Sequence, residues 1–307
     1  MIVHKQLDEL PVFTNAVITI GTFDGVHSGH QQIIKQLRDE AIAVNGETVI
    51  ITFHPHPRRI VQNQLSEIRL INTLDEKIDL LQKQGIDHLV IVPFTKVFAE
   101  LEANDYVQNF LVKYFQPHTI IIGYDHRFGH NRSGNYQLLE KLKEQYGFKV
   151  KEIPEHILQD SIISSTKIRI AVINGQVDIA NAFLGYHYFF EGVVIEGNKL
   201  GRTIGYPTAN IRISDEEKLV PCNGVYAVDV TIAGEETVYK GMMNIGVRPT
   251  VDGTKRSIEV NIFNFDRDIY GQQLRVSLKK YLRGEVKFNG LDELKAQLAI
   301  DKEQAFI

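Results

Sequence analysis

The stretch Val17-Ile18-Thr19-Ile20-Gly21-Thr22-Phe23-Asp24-Gly25-Val26-His27-Ser28-Gly29-His30 decides how the rest of the chain is read. Four apolar or β-branched residues come first, as in a short buried strand. A glycine-rich turn follows. Ile33, Ile34, Leu37 and Ala41 then recur at helical spacing. A strand, glycine turn and helix start in that order aim backbone N–H groups and a helix N-terminus at a ligand above the strand end, most often a phosphate. His27 and His30 are three apart, so one helical turn brings them to one face. Two imidazoles beside an anion-binding helix end can donate hydrogen bonds to phosphoryl oxygens as charge builds. Read alone, the same residues also describe a tight turn with two solvated histidines.

Working outward, residues 17 to about 154 alternate apolar strands with amphipathic helices. The strand candidates are Val17–Ile20, Thr48–Phe53, His88–Phe94, Thr119–Tyr124 and Phe148–Ile153. Helical patterns fall at Gly29–Val44, Leu74–Gln84, Asp105–Phe115 and Tyr136–Tyr146, with Asn104 and Asn135 as candidate caps of the last two. Strict alternation of this kind predicts a doubly wound parallel sheet, with ligands beyond the carboxyl ends of its strands. Two further helices are expected at Ser165–Ile173 and Val177–Leu184.

After Gly185 the pattern has period two, in Tyr188–Ile195, Val225–Ile232, Thr237–Asn244, Ser257–Phe265 and Leu274–Tyr281. This predicts an antiparallel barrel closed by a helix from Asp292 to about Ala305. The chain is therefore α/β, with domains expected at 1–184 and 185–307.

Composition narrows the functional classes. The 307 residues carry a net charge of −4 without a long run of one sign, which argues against a dedicated nucleic-acid or membrane-surface binder. No apolar stretch approaches a membrane span, and Met1–Lys5 does not open a signal peptide. One cysteine, Cys222, excludes an internal disulfide and any multi-cysteine metal site. A cytoplasmic enzyme fits. Ten of the eleven histidines lie at or before residue 156, so a metal site is a rival reading of His27, His30, His54, His56, His126 and His130. No HExxH or clustered carboxylate pattern accompanies them, and the glycine loop favours a phosphate.

Other segments acquire meaning by position. Phe53-His54-Pro55-His56-Pro57 stiffens a strand exit. Gly123-Tyr124-Asp125-His126-Arg127-Phe128-Gly129 offers an acid and a cation on a strand-end loop. Ile163-Ser164-Ser165-Thr166-Lys167-Ile168-Arg169 is either a capped helix start or an anion clamp. In the second half, Gly201-Arg202-Thr203-Ile204-Gly205-Tyr206-Pro207-Thr208-Ala209-Asn210 is basic and glycine-rich, with Thr208 and Asn210 on one face of an extended chain. A hydroxyl and an amide carbonyl are hard ligands suited to Mg²⁺. A glycine-rich β-turn is the plainer reading of that stretch. Glu259 alternates with apolar neighbours and reads locally as a solvated acid.

Taken together, GTFDGVHSGH, HPHP, GYDHRFG and ISSTKIR resemble the adenylyltransferase module of bacterial FAD synthetases over about residues 10–184. GYPTAN, NIGVRPT, SIEVNIF and LRGEVKF resemble riboflavin kinases over residues 186–300. The resemblance implies ATP-dependent phosphorylation of riboflavin to FMN, then adenylylation of FMN to FAD with release of pyrophosphate. It implies Mg²⁺ with ATP, small-molecule substrates only, and no prosthetic group. His27, His30 and Arg169 would serve adenylyl transfer. Gly21, Phe23, Asp24, Gly25, His56 and Pro57 would line that site, with Asp125, Phe128, Gly129, Ser164, Ser165 and Thr166. Glu259 would be the general base of the kinase. Gly201, Arg202, Gly205 and Pro207 would hold its nucleotide and flavin, and Thr208 and Asn210 its metal. His126 departs from the aromatic residue many relatives carry. The alternatives are a riboflavin kinase with a non-catalytic flavin-binding or regulatory first domain, and a non-enzymatic flavin sensor.

Overall fold

A computed structural model describes residues 1–61, 69–153, 163–197, 200–250 and 253–306. Contacts divide the chain into two units: Met1–Ile68 with Leu74–Ser164, and Arg69–Thr73 with Ser165–Ile307. Among the described residues no helix is long and apolar enough to cross a membrane.

The first unit is built on six strands, β1 (Ile2–His4), β2 (Val17–Ile20), β3 (Thr48–His54), β4 (His88–Pro93), β5 (Thr119–Gly123) and β6 (Lys149–Ile153), in the order β1-β4-β3-β2-β5-β6. Every neighbouring pair is parallel. β2 and β5 are buried along their whole length, which is why they read as continuous apolar runs rather than alternating ones. Three longer helices are α1 (Ser28–Val44), α2 (Leu74–Gln82) and α3 (Tyr136–Tyr146). Asn135 caps α3 by accepting a bond from the Leu138 N–H at 3.0 Å, and Gly147 closes it in the left-handed conformation at φ 73°.

Three features depart from the expectation. Asn104 is not a cap: the helical run begins one residue earlier at Ala103, which is buried, and Glu102 takes the cap position without a side-chain bond. The run continues through a π-helical segment, Tyr106–Val112, rather than a regular helix. β1 was not foreseen, because three half-exposed residues carry no period.

The strand order places the switch point at β2. From β2 the chain steps to β3 and β4 on one side, then returns to β5 on the other. The loops leaving β2 and β5 therefore emerge from neighbouring strand ends, where α/β sheets bind ligands.

The second unit holds a closed barrel of β7 (Phe189–Ile195), β8 (Ala209–Arg212), β9 (Gly224–Ile232), β10 (Val238–Thr250), β11 (Gly253–Ile262) and β12 (Gln273–Arg283). Their order is β10-β11-β8-β7-β12-β9, entirely antiparallel. Helices α4 (Ser165–Ile173), α5 (Val177–Leu184) and α6 (Leu291–Ala305) belong to the same unit. Arg283 on β12 grips the fully buried Asp301 of α6 through two bonds of 2.8 and 2.6 Å. A bidentate pair of this kind fixes orientation as well as position.

Five residues from the first part of the chain complete the second unit. Leu70 forms a parallel bridge with Lys218. The Lys218 ammonium is buried, donates to the carbonyls of Ile71 at 2.6 Å and Phe189 at 2.7 Å, and lies 4.8 Å from the centre of the Tyr188 ring. Asn181 of α5 donates to the Leu278 carbonyl at 3.0 Å and accepts from the Tyr188 N–H at 2.7 Å. A fragment of residues 185–307 lacks the strap and helices α4 and α5. It is expected to melt well below a 165–307 fragment, because Asn181 and the apolar face of α5 are restored only in the longer one. Equal melting curves would show that the helices add nothing to the barrel.

Candidate active sites

The glycine turn after β2 is under backbone strain. Phe23, Gly25 and Val26 all have positive φ, at 47°, 96° and 35°. For a β-branched valine this is an outlier that persists only where surroundings enforce it. The Thr22 carbonyl accepts from Lys77 Nζ at 2.7 Å and from Thr52 Oγ1 at 3.2 Å. The Val26 carbonyl accepts from Gln31 Nε2 at 2.9 Å. Phe23 and Asp24 are both buried.

His27 is the N-cap of α1, and its Nδ1 accepts the His30 N–H at 3.4 Å. That bond leaves the proton on Nε2, so the ring's outer nitrogen is a donor. The two rings stack with centroids 3.7 Å apart and planes 17° from parallel. Gly29 gives the first ring room, since a Cβ there would lie 3.2 Å from His27 Nδ1 and press the ring aside by a few tenths of an ångström. The spacing thus has a structural cause: the first histidine caps the helix, the glycine makes room, and the second lies on the first. Burial lowers the His27 pKa to about 4, against the opposing charge of Asp24. Burial holds His30 well below the usual imidazole range, with His27 and Lys77 adding to the effect. Both rings are neutral donors at pH 7. His30 Nδ1 is buried with no hydrogen-bond partner among the described residues.

The loop after β5 is shaped by packing. Phe128 is buried and stacks on Tyr106 at 5.0 Å. Gly129, at φ 72°, passes so close to Ala103 that a Cβ would lie 2.7 Å from its Cα. Asp125 is exposed. His56 Nδ1 accepts the Arg58 N–H at 3.3 Å, and Pro57 opens a short helix, Pro57–Val61. Ser164 belongs to the first unit. Ser165, Thr166 and Arg169 lie on α4 in the second, where Arg169 Nε donates to the Arg69 carbonyl at 2.7 Å.

In the barrel, Glu259 of β11 stands opposite Asn210 of β8. Thr208 Oγ1 donates to Glu259 Oε2 at 3.2 Å. Asn261 donates to the Pro207 carbonyl at 2.6 Å, which ties the GYPTAN turn to β11. Two glycines are spaces for neighbours: a Cβ on Gly197 would fall 2.1 Å from Asn210 Nδ2, and one on Gly201 would fall 2.2 Å from the Tyr206 carbonyl oxygen. Gly205 turns the chain at φ 85°, and Arg202 is exposed. Thr208 and Glu259 line a cavity of about 360 Å³ whose other walls include Ile204, Met242, Met243 and Phe288. An apolar pocket with a few convergent polar groups suits a planar aromatic ligand with a polar tail. The side chains of Arg248, Pro249 and Thr250, which the second-half motifs include, lie outside the described residues.

Residues 11–167 match the FAD synthetase family, and residues 184–306 match the riboflavin kinase family. The chain belongs to the bifunctional riboflavin kinase and FAD synthetase family. A Haemophilus influenzae protein named bifunctional riboflavin kinase/FMN adenylyltransferase is 38% identical over 96% of this chain and 94% of its own length. A Listeria monocytogenes protein of the same name is 39% identical over 94% of this chain and 91% of its own. A crystal structure described as a macrolide-efflux protein from Streptococcus pneumoniae superposes with a TM-score of 0.88, at 32% identity, over 99% of this chain and 98% of that one.

Asn261, Arg283 and Glu285, which the sequence reading quotes within the SIEVNIF and LRGEVKF motifs without giving them a role, line the barrel cavity. Each sits in a strand or turn where a polar residue is ordinary. Lys77 falls inside the helical pattern Leu74–Gln84, carries no role in the sequence reading, and is buried.

Proposed function

We propose that the two reactions of the family are carried out separately, by His27 and His30 in the first unit and by Glu259 in the barrel. One observation carries this reading. A single chain holds both a stacked histidine pair at a helix N-terminus on the sheet's switch point and a carboxylate beside an apolar cavity.

In the kinase step, Glu259 accepts the proton of the riboflavin 5′-hydroxyl. The oxygen then attacks the γ-phosphorus of ATP, and ADP leaves. Gly201, Arg202, Gly205 and Pro207 shape the turn that carries Thr208 and Asn210 to Glu259. The oxygen donors of Thr208 and Asn210 fit Mg²⁺ held jointly with ATP phosphates, and Gly197 leaves room for the Asn210 amide. Bound there, Mg²⁺ would neutralise charge on the transferred phosphoryl group. Among the described residues no group of three or more His, Cys, Asp or Glu side chains gathers to hold a metal, so the phosphates would complete the ligand set.

In the adenylyl step, a phosphate oxygen of FMN attacks the α-phosphorus of ATP and pyrophosphate leaves. His27 and His30 donate to the crowded phosphoryl oxygens at the N-terminus of α1. Asp125 and His56 are assigned ligand contacts. Phe23, Phe128, Gly129 and Pro57 hold the loops in shape. Ser164, Ser165, Thr166 and Arg169 are assigned the ATP phosphates on the motif resemblance. A cytoplasmic location, where ATP is available, belongs to the same reading.

The test is direct. Pure protein is incubated with riboflavin, ATP and Mg²⁺, and flavins are resolved by chromatography. FMN followed by FAD is expected. FMN alone, with no FAD from supplied FMN, would reduce the first unit to a flavin-binding or regulatory module. No conversion of either flavin would overturn the reading.

A further inference from the structure

Lys77 is a buried cation that neither reaction as written employs. It lies on α2, more than fifty residues from the glycine turn in sequence, yet its ammonium donates to the Thr22 carbonyl at 2.7 Å. The side chain is 7% exposed. An ammonium is taken out of water only where it is compensated. Here the compensation is one loop carbonyl and the charge of buried Asp24. The loop it holds contains the strained residues Phe23 and Val26. Strain of that kind relaxes when the contacts that enforce it are removed.

We propose that Lys77 is a positioning residue for adenylyl transfer, holding the Thr22 carbonyl so that the strained Phe23–Val26 turn keeps its shape. The proposal rests on the adenylyltransferase reading of the first unit. Two consequences separate it from a merely structural lysine. The turn is held at one carbonyl by two donors, Lys77 and Thr52, so loss of the stronger one loosens the turn and not the sheet. The charge also bears on ionisation. His27 stacks on His30, the charge of Lys77 acts on His30 from α2, and the charge of Asp24 acts on both His27 and Lys77. Lys77 disfavours a proton on His30, and its removal makes that proton easier to add.

The experiment uses the full chain and supplied FMN, with riboflavin phosphorylation measured on the same samples. Wild-type FAD formation establishes the reading on which the proposal depends, so its absence is distinguishable from failure of the proposal. Lys77→Gln keeps a donor and loses the charge. It is expected to lower kcat for FAD formation by about 10²-fold, the scale of losing a preorganised donor set. The histidine-dependent inflection in its pH profile should move to higher pH, and FMN formation should stay within twofold of wild type. Lys77→Arg, which keeps a cation, should restore the inflection. If Lys77→Gln does not fold, Thr52→Val removes only the weaker hold on Thr22 and should lower kcat several-fold at an unchanged melting temperature. FAD formation by Lys77→Gln within threefold of wild type would overturn the proposal. So would a loss with an unmoved inflection, or a Thr52→Val protein with normal kcat where Lys77→Gln is unfolded.

Discussion

Glu259→Gln is expected to lower the rate of FMN formation by about 10²–10⁴-fold, the share that a positioned general base contributes. The amide keeps the shape of the side chain and still accepts the bond that Thr208 donates. It cannot take a proton from the ribityl hydroxyl. Conversion of supplied FMN to FAD stays at wild-type level, because that chemistry uses groups outside the barrel cavity. Thr208→Ala should behave differently. It removes an oxygen donor assigned to Mg²⁺, so activity becomes more dependent on Mg²⁺ and on ATP concentration. The decisive quantity is kcat at saturating ATP. Phosphoryl transfer through a loose transition state draws most of its acceleration from positioning and charge. A Glu259→Gln rate within a few-fold of wild type would therefore leave Glu259 as a residue that places the ribityl chain.

His30→Ala should lower FAD formation by about 10²-fold or more, the scale of losing one oxyanion-type donor. The structure sharpens the expectation. His30 is stacked on His27 and packed against Phe23 at 4.9 Å. Alanine removes a donor and also the ring that holds its partner's orientation. The loss should exceed that of a histidine acting alone, and His30→Ala combined with His27→Ala should cost little more than either single change. Fully additive losses in the double variant would show that the rings act independently. FMN formation serves as the control, and an equal fall in both activities would point to misfolding.

Most of the sheet was legible because its strands are short apolar runs separated by helices of regular period. Five of the six barrel strands were legible because they alternate, whereas β8, only four residues long beside the glycine-rich turn, was not among them. Boundaries missed by a few residues, as at the long β10 and β11, where Gly241 and Gly246 weaken the local pattern but pairing with neighbouring strands carries the ladder through. The histidine pair was legible as a motif, yet its geometry was not. That His27 caps its own helix and that Gly29 makes room for its ring are facts of packing, with no counterpart in spacing alone. Lys77 was hidden for a related reason. In Leu74-Asp75-Glu76-Lys77-Ile78 a lysine reads as solvated, whereas in the fold it is buried with its ammonium on the Thr22 carbonyl of the β2 loop. The strap Arg69–Thr73 has no local signature, since its partners follow it by about a hundred residues or more.

That strap has a consequence for how the protein is made. Leu70 and Ile71 leave the ribosome long before Lys218, whose backbone and ammonium they meet in the finished unit. At about 5–20 residues per second, the wait is roughly 7–30 s. Throughout that interval two apolar residues stand without the partners that will cover them, flanked in sequence by segments that belong to the first unit. The order of synthesis therefore leaves the nascent chain with a sticky segment that only the last third of translation can retire. A pause or truncation before the barrel strands are complete prolongs its exposure and favours capture by chaperones or by other chains.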